Sequence, residues 1–545
     1  MLDKDNQKFD LCVVGSGPAG IIITLEFARL NPGKRICLIE FGYKGLKKKN
    51  SLDETIINVN PINHHDPYEC TNKGLGGSSQ TWGGRCVMYD EIDFIPRPII
   101  NDGCTWSVNL FDDVKKHVDK TCEYFECGKN VFSVKNESGK DKTILAERFT
   151  DGDITGSKIE RWSKPTNFGK RYRYSIESNK NIHLIEASEA RNLIINGNCE
   201  ISAIEIRNVQ NRENSKIYAN HFVLAAGTQE TTRLLLRNKH IFKNLGYVPD
   251  SLGKYYQGHI SGKIASVKFY GDPQKTEYGF IRDEDGVYLK RRFQFTTDFL
   301  LKRDLLNTAI WLDNPLYYDY EHRCGAMSLM YLVMITPYLG KKLAPPAIAR
   351  SITSGKSKNI GKHLWNVIKD IPGSILIPAT IFFKRYFPNR KLPGVFLYNS
   401  RNIYALNFHA EQIPYSGNSM SIDKDGETLI INYSLTDSDI DSVLKLHKEL
   451  DEYLRKINCG ELIYWYPEQL LKDKIRSTAC DGIHQSGTTR ISSEPENGVV
   501  DENLKVWGTK NLFICSSSVF PTSGQANPTF FLGAFAVRLA NFLSS

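Results

Sequence analysis

The sequence lacks several features that define common structural classes. Its twelve cysteines are scattered, include no CxxC pair and form no cysteine–histidine group with zinc-like spacing. We therefore expect reduced thiols and no metal site. No apolar run reaches the roughly 20 residues needed to cross a bilayer. The N-terminus has no basic segment followed by an apolar one, so no secretory signal is visible and the expected location is the cytoplasm.

Most of the chain also lacks excess charge. The formal net charge is +9, yet residues 331–392 alone contain eleven Lys and Arg and one acid, Asp370. The remainder of the chain is therefore close to neutral. Short apolar runs alternate with these basic residues, and prolines are expected to break any long helix here. These prolines are Pro345, Pro346, Pro372 and Pro378.

Two interpretations of residues 331–392 stay open. Short apolar pieces flanked by Lys and Arg suit peripheral contact with an anionic membrane surface, which would be the inner face of the membrane. The alternative is a pair of core helices with a solvated basic face. Nucleic-acid binding is not expected, because no nucleic-acid-binding motif accompanies the charge.

The first forty residues have the pattern of a dinucleotide-binding unit. An apolar run at residues 8–14 enters GSGPAG at 15–20, a helical pattern follows, and the strand-like RICLIE at 35–40 ends in an acid. That acid, Glu40, is expected to bind the hydroxyls of an adenosine ribose. The motif fits NAD or FAD. Its N-terminal position in a long chain, without a second such motif, favours FAD.

Each residue of GSGPAG has an expected task. Gly15 allows the tight turn out of the strand, Gly17 lets the backbone approach a pyrophosphate, and Gly20 lets the helix pack on the sheet. Pro18 and Ala19 open the helix, whose N-terminus attracts phosphate.

Further glycine-rich and polar turns follow along the chain. KGLGGSSQTWGGRC at 73–86 brings backbone close to a flat or bulky group, and its tryptophan argues against a loose linker. HFVLAAGTQETTRLLL at 221–236 predicts a buried strand that enters a helix through Ala226 and Gly227. Near the C-terminus, HQSGTTR begins with His484, and ANPT places Asn527 at the start of a helix.

These segments, in this order, resemble the glucose–methanol–choline (GMC) flavoprotein oxidoreductases, and the sugar-oxidising branch in particular. The resemblance implies an α/β fold: a Rossmann-like FAD-binding domain with an α+β substrate domain built on an antiparallel sheet. It implies that His484 and Asn527 are catalytic and face the flavin. The implied cofactor contacts are the residues of GSGPAG named above, Glu40, Gly76, Gly77, Ser78, Trp82, Gly83, Ala226, Gly227, Ser517, Pro528 and Thr529.

The sequence departs from the family in three places. One is QGHI, where Gly258 stands before His259 in place of the usual aspartate. Some relatives attach FAD covalently through a histidine close to the loop tryptophan, whereas Gln80 and Thr81 precede Trp82 here. We therefore expect FAD to be held non-covalently. The turn that often carries an aspartate in relatives has Ser516 and Ser517.

The function implied is oxidation of a CH–OH group of a sugar or polyol, which could be lipid-linked, by hydride transfer to flavin N5 with His484 as base. The electron acceptor stays open between oxygen, a quinone and a partner protein. A GMC-type lyase without net redox chemistry, or a non-catalytic protein of the membrane surface, are the alternatives. His409, Glu411 and Gln412 either face the substrate or are ordinary sheet residues.

The expected domains are discontinuous. Residues 1–100, 180–262 and 475–545 are predicted to form the FAD-binding domain, and 101–179 to connect and cover it. Residues 263–474 are predicted to form the substrate domain, with 331–392 as a basic, apolar insertion.

Overall fold

The computed structural model describes residues 8–44, 55–100, 106–107, 109–134, 144–164, 167–336, 338, 359–399 and 401–545. Within these residues the α-helices are α1 (Pro18–Leu30), α2 (Pro67–Cys70), α3 (Leu110–Lys115), α4 (Val118–Phe125), α5 (Phe168–Glu177), α6 (Gly227–Arg237), α7 (Thr297–Arg303), α8 (Gly325–Met334), α9 (Ile360–Lys369), α10 (Ile371–Tyr386), α11 (Asp437–Lys456), α12 (Leu471–Thr478) and α13 (Pro528–Phe542).

The β-strands are β1 (Phe9–Val14), β2 (Ile36–Ile39), β3 (Ile56–Asn58), β4 (Arg85–Cys86), β5 (Ile154–Thr155), β6 (Ile159–Trp162), β7 (Ile182–Ile185), β8 (Ser188–Ile195), β9 (Ile201–Asn208), β10 (Asn214–Leu224), β11 (His259–Phe269), β12 (Ile281–Arg282), β13 (Tyr288–Arg291), β14 (Phe293–Phe295), β15 (Thr308–Asp313), β16 (Ile403–Glu411), β17 (Ser419–Ile422), β18 (Leu429–Asn432), β19 (Gly460–Tyr464) and β20 (Leu512–Ile514).

A seven-stranded sheet has the order β7-β2-β1-β10-β9-β8, and β20 also pairs with β10. β7, β2, β1, β10 and β20 are parallel, whereas β9 and β8 continue the sheet as an antiparallel meander. β1 and β2 are almost wholly buried, as expected for parallel strands covered on both faces. α1 lies against both strands and packs on α13. This arrangement confirms the Rossmann-like part of the predicted fold.

A six-stranded antiparallel sheet has the order β19-β11-β16-β15-β14-β5. It confirms the antiparallel sheet predicted for the α+β part, and α11 packs against its edge strand β19. β3 pairs with β18, and β4 pairs with β6, in two smaller sheets. The N-terminal part of the chain therefore contributes strands beyond the seven-stranded sheet, and the division into domains stays a prediction.

Helix α10 contradicts the expectation that proline breaks any long helix in the basic stretch. Pro372 occupies its first turn, where no intrahelical N–H is needed, and Pro378 lies inside the 16-residue helix. Loss of one backbone hydrogen bond at Pro378 does not end the helix, which begins with the side chain of Asp370 accepting from the Gly373 N–H at 3.0 Å. Pro345, Pro346 and the basic residues of 341–358 lie outside the described residues.

Helices α9 and α10 are apolar but sharply bent. Among the described residues no single helix is long and apolar enough to cross a membrane. The pair Ile360–Lys369 and Ile371–Arg385, bent by 91°, reaches the required length and composition only when taken together.

Candidate active site

The turn after β1 brings backbone to the edge of the seven-stranded sheet. Gly15 has a φ of +99°, and its N–H donates to the carbonyl of Ile39 at 2.8 Å. A Cβ on Gly20 would lie 1.9 Å from the Gly15 oxygen, so only glycine allows this packing. A Cβ on Gly17 would meet no atom within 4 Å, and no side chain caps α1 there. The N–H groups of the first turn therefore remain available to a phosphate.

The glycine-rich loop packs directly on this turn. The Gly76 N–H donates to the Ser16 carbonyl at 2.8 Å. A Cβ on Gly77 would lie only 2.9 Å from the Gly17 Cα. Trp82 packs edge-on against aromatic rings of α4 and α5. The loop is therefore held in place by packing against the rest of the fold and is not a loose surface connection.

A cavity of about 540 Å³ opens beside the turn and the loop. Of the predicted site residues, it is lined by Gly15, Gly17, Pro18, Ala19, Glu40, Gly77, Ser78, Trp82, Gly83, Ala226, Gly227, His484, Ser517, Asn527, Pro528 and Thr529. Gly20 and Gly76 do not line it and serve backbone packing instead. The fold thus brings together segments from both ends and the middle of the chain.

Glu40 joins three backbone segments at the cavity wall. Its carboxylate accepts hydrogen bonds from the N–H and hydroxyl of Ser16 at 3.1 and 2.6 Å. It also accepts from the N–H groups of Gly42 and Gly74 at 2.8 and 2.7 Å. The carboxylate thereby ties the turn after β1 to the glycine-rich loop. Its contact with ribose hydroxyls stays a prediction.

His484 and Asn527 meet at the cavity wall. The Nδ2 atom of Asn527 lies 2.8 Å from Nε2 of His484. Asn527 occupies the N-cap position of α13, but its side chain makes no capping hydrogen bond. Nδ1 of His484 and Oδ1 of Asn527 are buried without a hydrogen-bond partner among the described residues. Such atoms mark a place where a ligand would complete the bonding.

The environment of His484 keeps its imidazole neutral. Burial lowers the pKa of His484 well below its ordinary value, and the positive charges of His259, Arg85 and His65 lower that pKa further. A neutral imidazole has a lone pair that can accept a proton at neutral pH.

A buried ion pair supports the loop that carries His484. The carbonyl of Asp481 accepts from the N–H of His259 at 2.9 Å, and its carboxylate accepts from the His65 ring. This hydrogen bond raises the pKa of His65 to about 10. Burial acts to raise the pKa of Asp481, but the bond and charge of His65 hold that pKa below its usual value.

The sequence did not single out Arg85. Arg85 lines the cavity, pairs with Glu160 and lies over the Trp311 ring at 4.1 Å. Its charge within the glycine-rich segment 73–86 was the available signal.

The candidates in β16 and the residue that follows it have different roles. The ring of His409 lies 5.2 Å from that of His484, centroid to centroid. Glu411 instead makes a two-armed ion pair with Arg97, at 2.7 and 2.8 Å. Gln412 accepts from the Gly258 N–H at 3.0 Å. Of these three candidates, His409 therefore lies beside His484, whereas Glu411 and Gln412 bond to other partners.

The residues present fit FAD. The uncapped start of α1 and the open space at Gly17 suit a pyrophosphate. The unpartnered atoms of His484 and Asn527 line the same cavity and suit a polar reacting group. A cavity of about 540 Å³ is in the range of cofactor and ligand sites.

Comparison with known sequences supports this assignment. Residues 414–536 match the model of the GMC oxidoreductase family. The chain is 20% identical to the 6'''-hydroxyparomomycin C oxidase of Streptomyces lividus over 99% of its own length and 92% of that protein. A match to the 2-methyl-1,2-propanediol dehydrogenase of Mycolicibacterium austroafricanum is 38% identical but spans only 12% of this chain and 11% of that one.

Solved structures share the fold. Pyridoxine 4-oxidase from Mesorbium loti aligns with a TM-score of 0.52 and 15% identity, covering 98% of this chain and 99% of that one. A fungal aryl-alcohol oxidase aligns with a TM-score of 0.51 and 12% identity, covering 99% of both chains. The family match includes Asn527 and the start of α13, which stand at the cavity. The chain is therefore similar to the GMC oxidoreductases over residues 414–536, and over nearly its whole length it shares the fold of these two oxidases.

Proposed function

We propose that this enzyme oxidises a CH–OH group of a sugar or polyol, with His484 as the base and Asn527 as its hydrogen-bonding partner. The observation that carries the proposal is the 2.8 Å separation of Asn527 Nδ2 and His484 Nε2 at the wall of the cavity. A hydroxyl that takes the place of this amide–imidazole bond can contact both groups. It would donate its proton to Nε2 and accept a hydrogen bond from the amide, so the alkoxide that develops is stabilised where it forms.

The protein and its cofactor divide the chemistry between them. Bound FAD supplies a hydride acceptor for the carbinol carbon. The chain holds the proton at Nε2 of His484 and orients the hydroxyl through Asn527. A base of this kind contributes about 10²–10⁴ in rate.

A hydroxylated substrate is favoured by two matches. One relative is named for 2-methyl-1,2-propanediol and another for 6'''-hydroxyparomomycin C. The resemblance of the sequence motifs to the sugar-oxidising branch points the same way. Sugars and polyols are therefore the first compounds to test.

Anaerobic mixing with a panel of sugars, polyols and simple alcohols tests this function. A correct substrate is expected to bleach the visible absorbance of the flavin. His484→Ala should keep its yellow colour and bleach about 10²–10⁴ times more slowly. His447→Gln is the matched control, since His447 is a buried histidine of α11 whose Nδ1 bonds to the Val443 carbonyl at 2.8 Å.

Two outcomes would count against the proposal. Bleaching of His484→Ala at the wild-type rate would remove the base assignment. Cleavage of a cyanohydrin without any flavin reduction by alcohols would favour the lyase alternative. Readmitting oxygen, or adding a quinone, to the bleached enzyme then separates the candidate acceptors.

We also propose that α9 and α10 contact an anionic membrane surface, which would give access to a lipid-linked substrate or a quinone. Large apolar side chains stand exposed along both helices: Ile360, Leu364, Trp365, Ile368, Ile371, Ile375, Leu376, Phe382 and Phe383. Trp365 is 57% and Phe383 59% exposed. Lys362, Lys369, Lys384 and Arg385 are interspersed with them. An exposed patch of this composition is typical of an interfacial anchor.

Co-sedimentation with lipid vesicles tests the contact. Binding to vesicles containing phosphatidylserine is expected to exceed binding to neutral vesicles and to fall with added salt. The double variant Trp365→Ser, Phe383→Ser should lose most of this binding. Tyr174→Ser, at an 81% exposed position of α5, should retain it. Equal sedimentation of both variants would contradict the proposal.

A further inference from the structure

Three imidazole rings converge where the antiparallel sheet meets the cavity. His259 begins β11, His409 lies on the paired strand β16, and His484 lies in the loop before β20. Their ring centroids are 3.9 Å apart for His259 and His409, 5.0 Å for His259 and His484, and 5.2 Å for His409 and His484. One nitrogen of each ring lies within 4.8 Å of the other two. The sequence alone did not predict this cluster, because its three histidines come from distant segments of the chain.

The nitrogens in this cluster have unused bonding capacity. His259 is 1% exposed, and its ring nitrogens make no hydrogen bond of ordinary geometry with the described residues, although the backbone of Gly524 and of Ala410 lies close enough to act on the ring. Nδ1 of His484 also has no hydrogen-bond partner among the described residues. Nδ1 of His409 bonds to the carbonyl of Gln525 at 2.9 Å, which fixes that nitrogen as the donor and leaves Nε2 as a ligand atom. Buried polar atoms without partners are costly, so a ligand that engages them is favoured.

We propose that His259, His409 and His484 form a binding site for a divalent transition metal ion such as Zn²⁺, Ni²⁺ or Cu²⁺. Imidazole nitrogens suit these ions, whereas Mg²⁺ and Ca²⁺ require oxygen ligands that this set lacks. Tetrahedral zinc with bonds of about 2.0–2.1 Å needs nitrogens about 3.3 Å apart. The nitrogens, which lie within 4.8 Å of one another, would have to approach by up to about 1.5 Å. The fourth coordination position stays open to water.

The charges around the cluster are compatible with a cation. Arg85 is a cation that acts on all three rings, and it is itself paired with Glu160.

Asp481 supplies a negative charge beside the cluster, and its carboxylate is shared with His65. Its carbonyl holds the N–H of His259, and its charge acts on the His259 ring. A bound cation therefore has a buried carboxylate behind the ligand set, which offsets part of the repulsion from Arg85.

Metal binding would block the base of the proposed function. Coordination through Nδ1 of His484 places the remaining ring proton on Nε2, which can then donate to Asn527 once its amide turns to bring Oδ1, in place of Nδ2, to this position. Nε2 can no longer accept the proton of a hydroxyl. A bound metal ion would therefore inhibit alcohol oxidation, and removal of the ion by a chelator would restore the activity.

Equilibrium dialysis of the FAD-loaded enzyme against Zn²⁺, without any alcohol, tests the site independently of turnover. One zinc per chain is expected for the wild type and for the control His447→Gln. His259→Gln and His409→Gln should each weaken binding by at least about 10-fold. Equal zinc binding by all four proteins, or none by the wild type, would overturn the proposal.

A second measurement needs no variant. The electron paramagnetic resonance spectrum of Cu²⁺ bound to the wild type is expected to show splitting from several imidazole nitrogens. A spectrum with oxygen ligands alone would overturn the assignment, even if the glutamine variants failed to fold.

Discussion

At the scale of single residues, Asn527 could have either of two roles: to cap a helix, or to take part in the chemistry of the site. Asparagine before a proline at a helix start predicts a helix cap. In the structure Asn527 holds that position, but its amide bonds to His484 and leaves the helix uncapped. HQSGTTR predicted His484 as a site residue, and ANPT predicted Asn527. Neither motif could predict that His259 and His409 lie beside them, because these two histidines are 150 positions apart and are brought together only by the pairing of β11 with β16.

Asn527→Ala is expected to slow flavin reduction by about 10- to 100-fold, since one hydrogen bond to a developing charge is lost. Stability in urea should change little. The control is Asn167→Ala, which removes a true cap because the Asn167 side chain accepts from the Lys170 N–H at 2.8 Å. That variant should lose about 1 kcal/mol of stability and keep its rate. The reverse pattern would reassign Asn527 as a cap. Stopped-flow absorbance and urea unfolding give the two readouts.

At the scale of elements, the unit β1–α1–β2 was predictable because its constraints are local. Apolar runs, glycines and a terminal acid are all read within forty residues, and the structure places them as expected. For residues 331–392 the sequence left a pair of helices open as one interpretation, but it did not predict that helix α10 would continue through Pro378. The intrinsic preference of a residue decides the structure of a segment only where the surrounding structure does not.

Gly20→Ala tests the close approach of α1 to the turn. The added Cβ would lie 1.9 Å from the Gly15 oxygen, so the helix must shift. We expect a loss of about 1–3 kcal/mol and a lower FAD content after purification. Gly33→Ala is the matched control: its Cβ would meet no atom within 4 Å, and its cost should stay within about 0.5 kcal/mol. Equal FAD content in the two variants would show that the turn tolerates a side chain. The visible absorbance of the purified proteins measures their FAD content.

At the scale of the whole molecule, histidines with opposite pKa shifts set the pH range of stability. The native pKa of His65 is about 10, above the unfolded value of about 6.5, so its contribution is complete below pH 6.5 and is lost as pH rises toward 10. The native pKa of His259 is about 3, so the unfolded chain binds more protons below about pH 6.5 and stability falls with acid. Greatest stability is expected near pH 6.5.

Urea unfolding across pH 4–10 measures this profile. His65→Gln should be less stable overall, because Asp481 is left unpaired, and its stability should no longer decline between pH 7 and 10 as steeply as that of the wild type. Parallel alkaline slopes in the two proteins would remove His65 as the cause.

The packing of α13 on α1 has a consequence for biosynthesis. α1 (Pro18–Leu30) is translated long before α13 (Pro528–Phe542), the buried helix that completes its environment. Until α13 is made, the apolar surface of α1 stays uncovered and needs chaperone protection. Capture of the flavin should consequently follow the synthesis of α13, whose first turn lines the cavity.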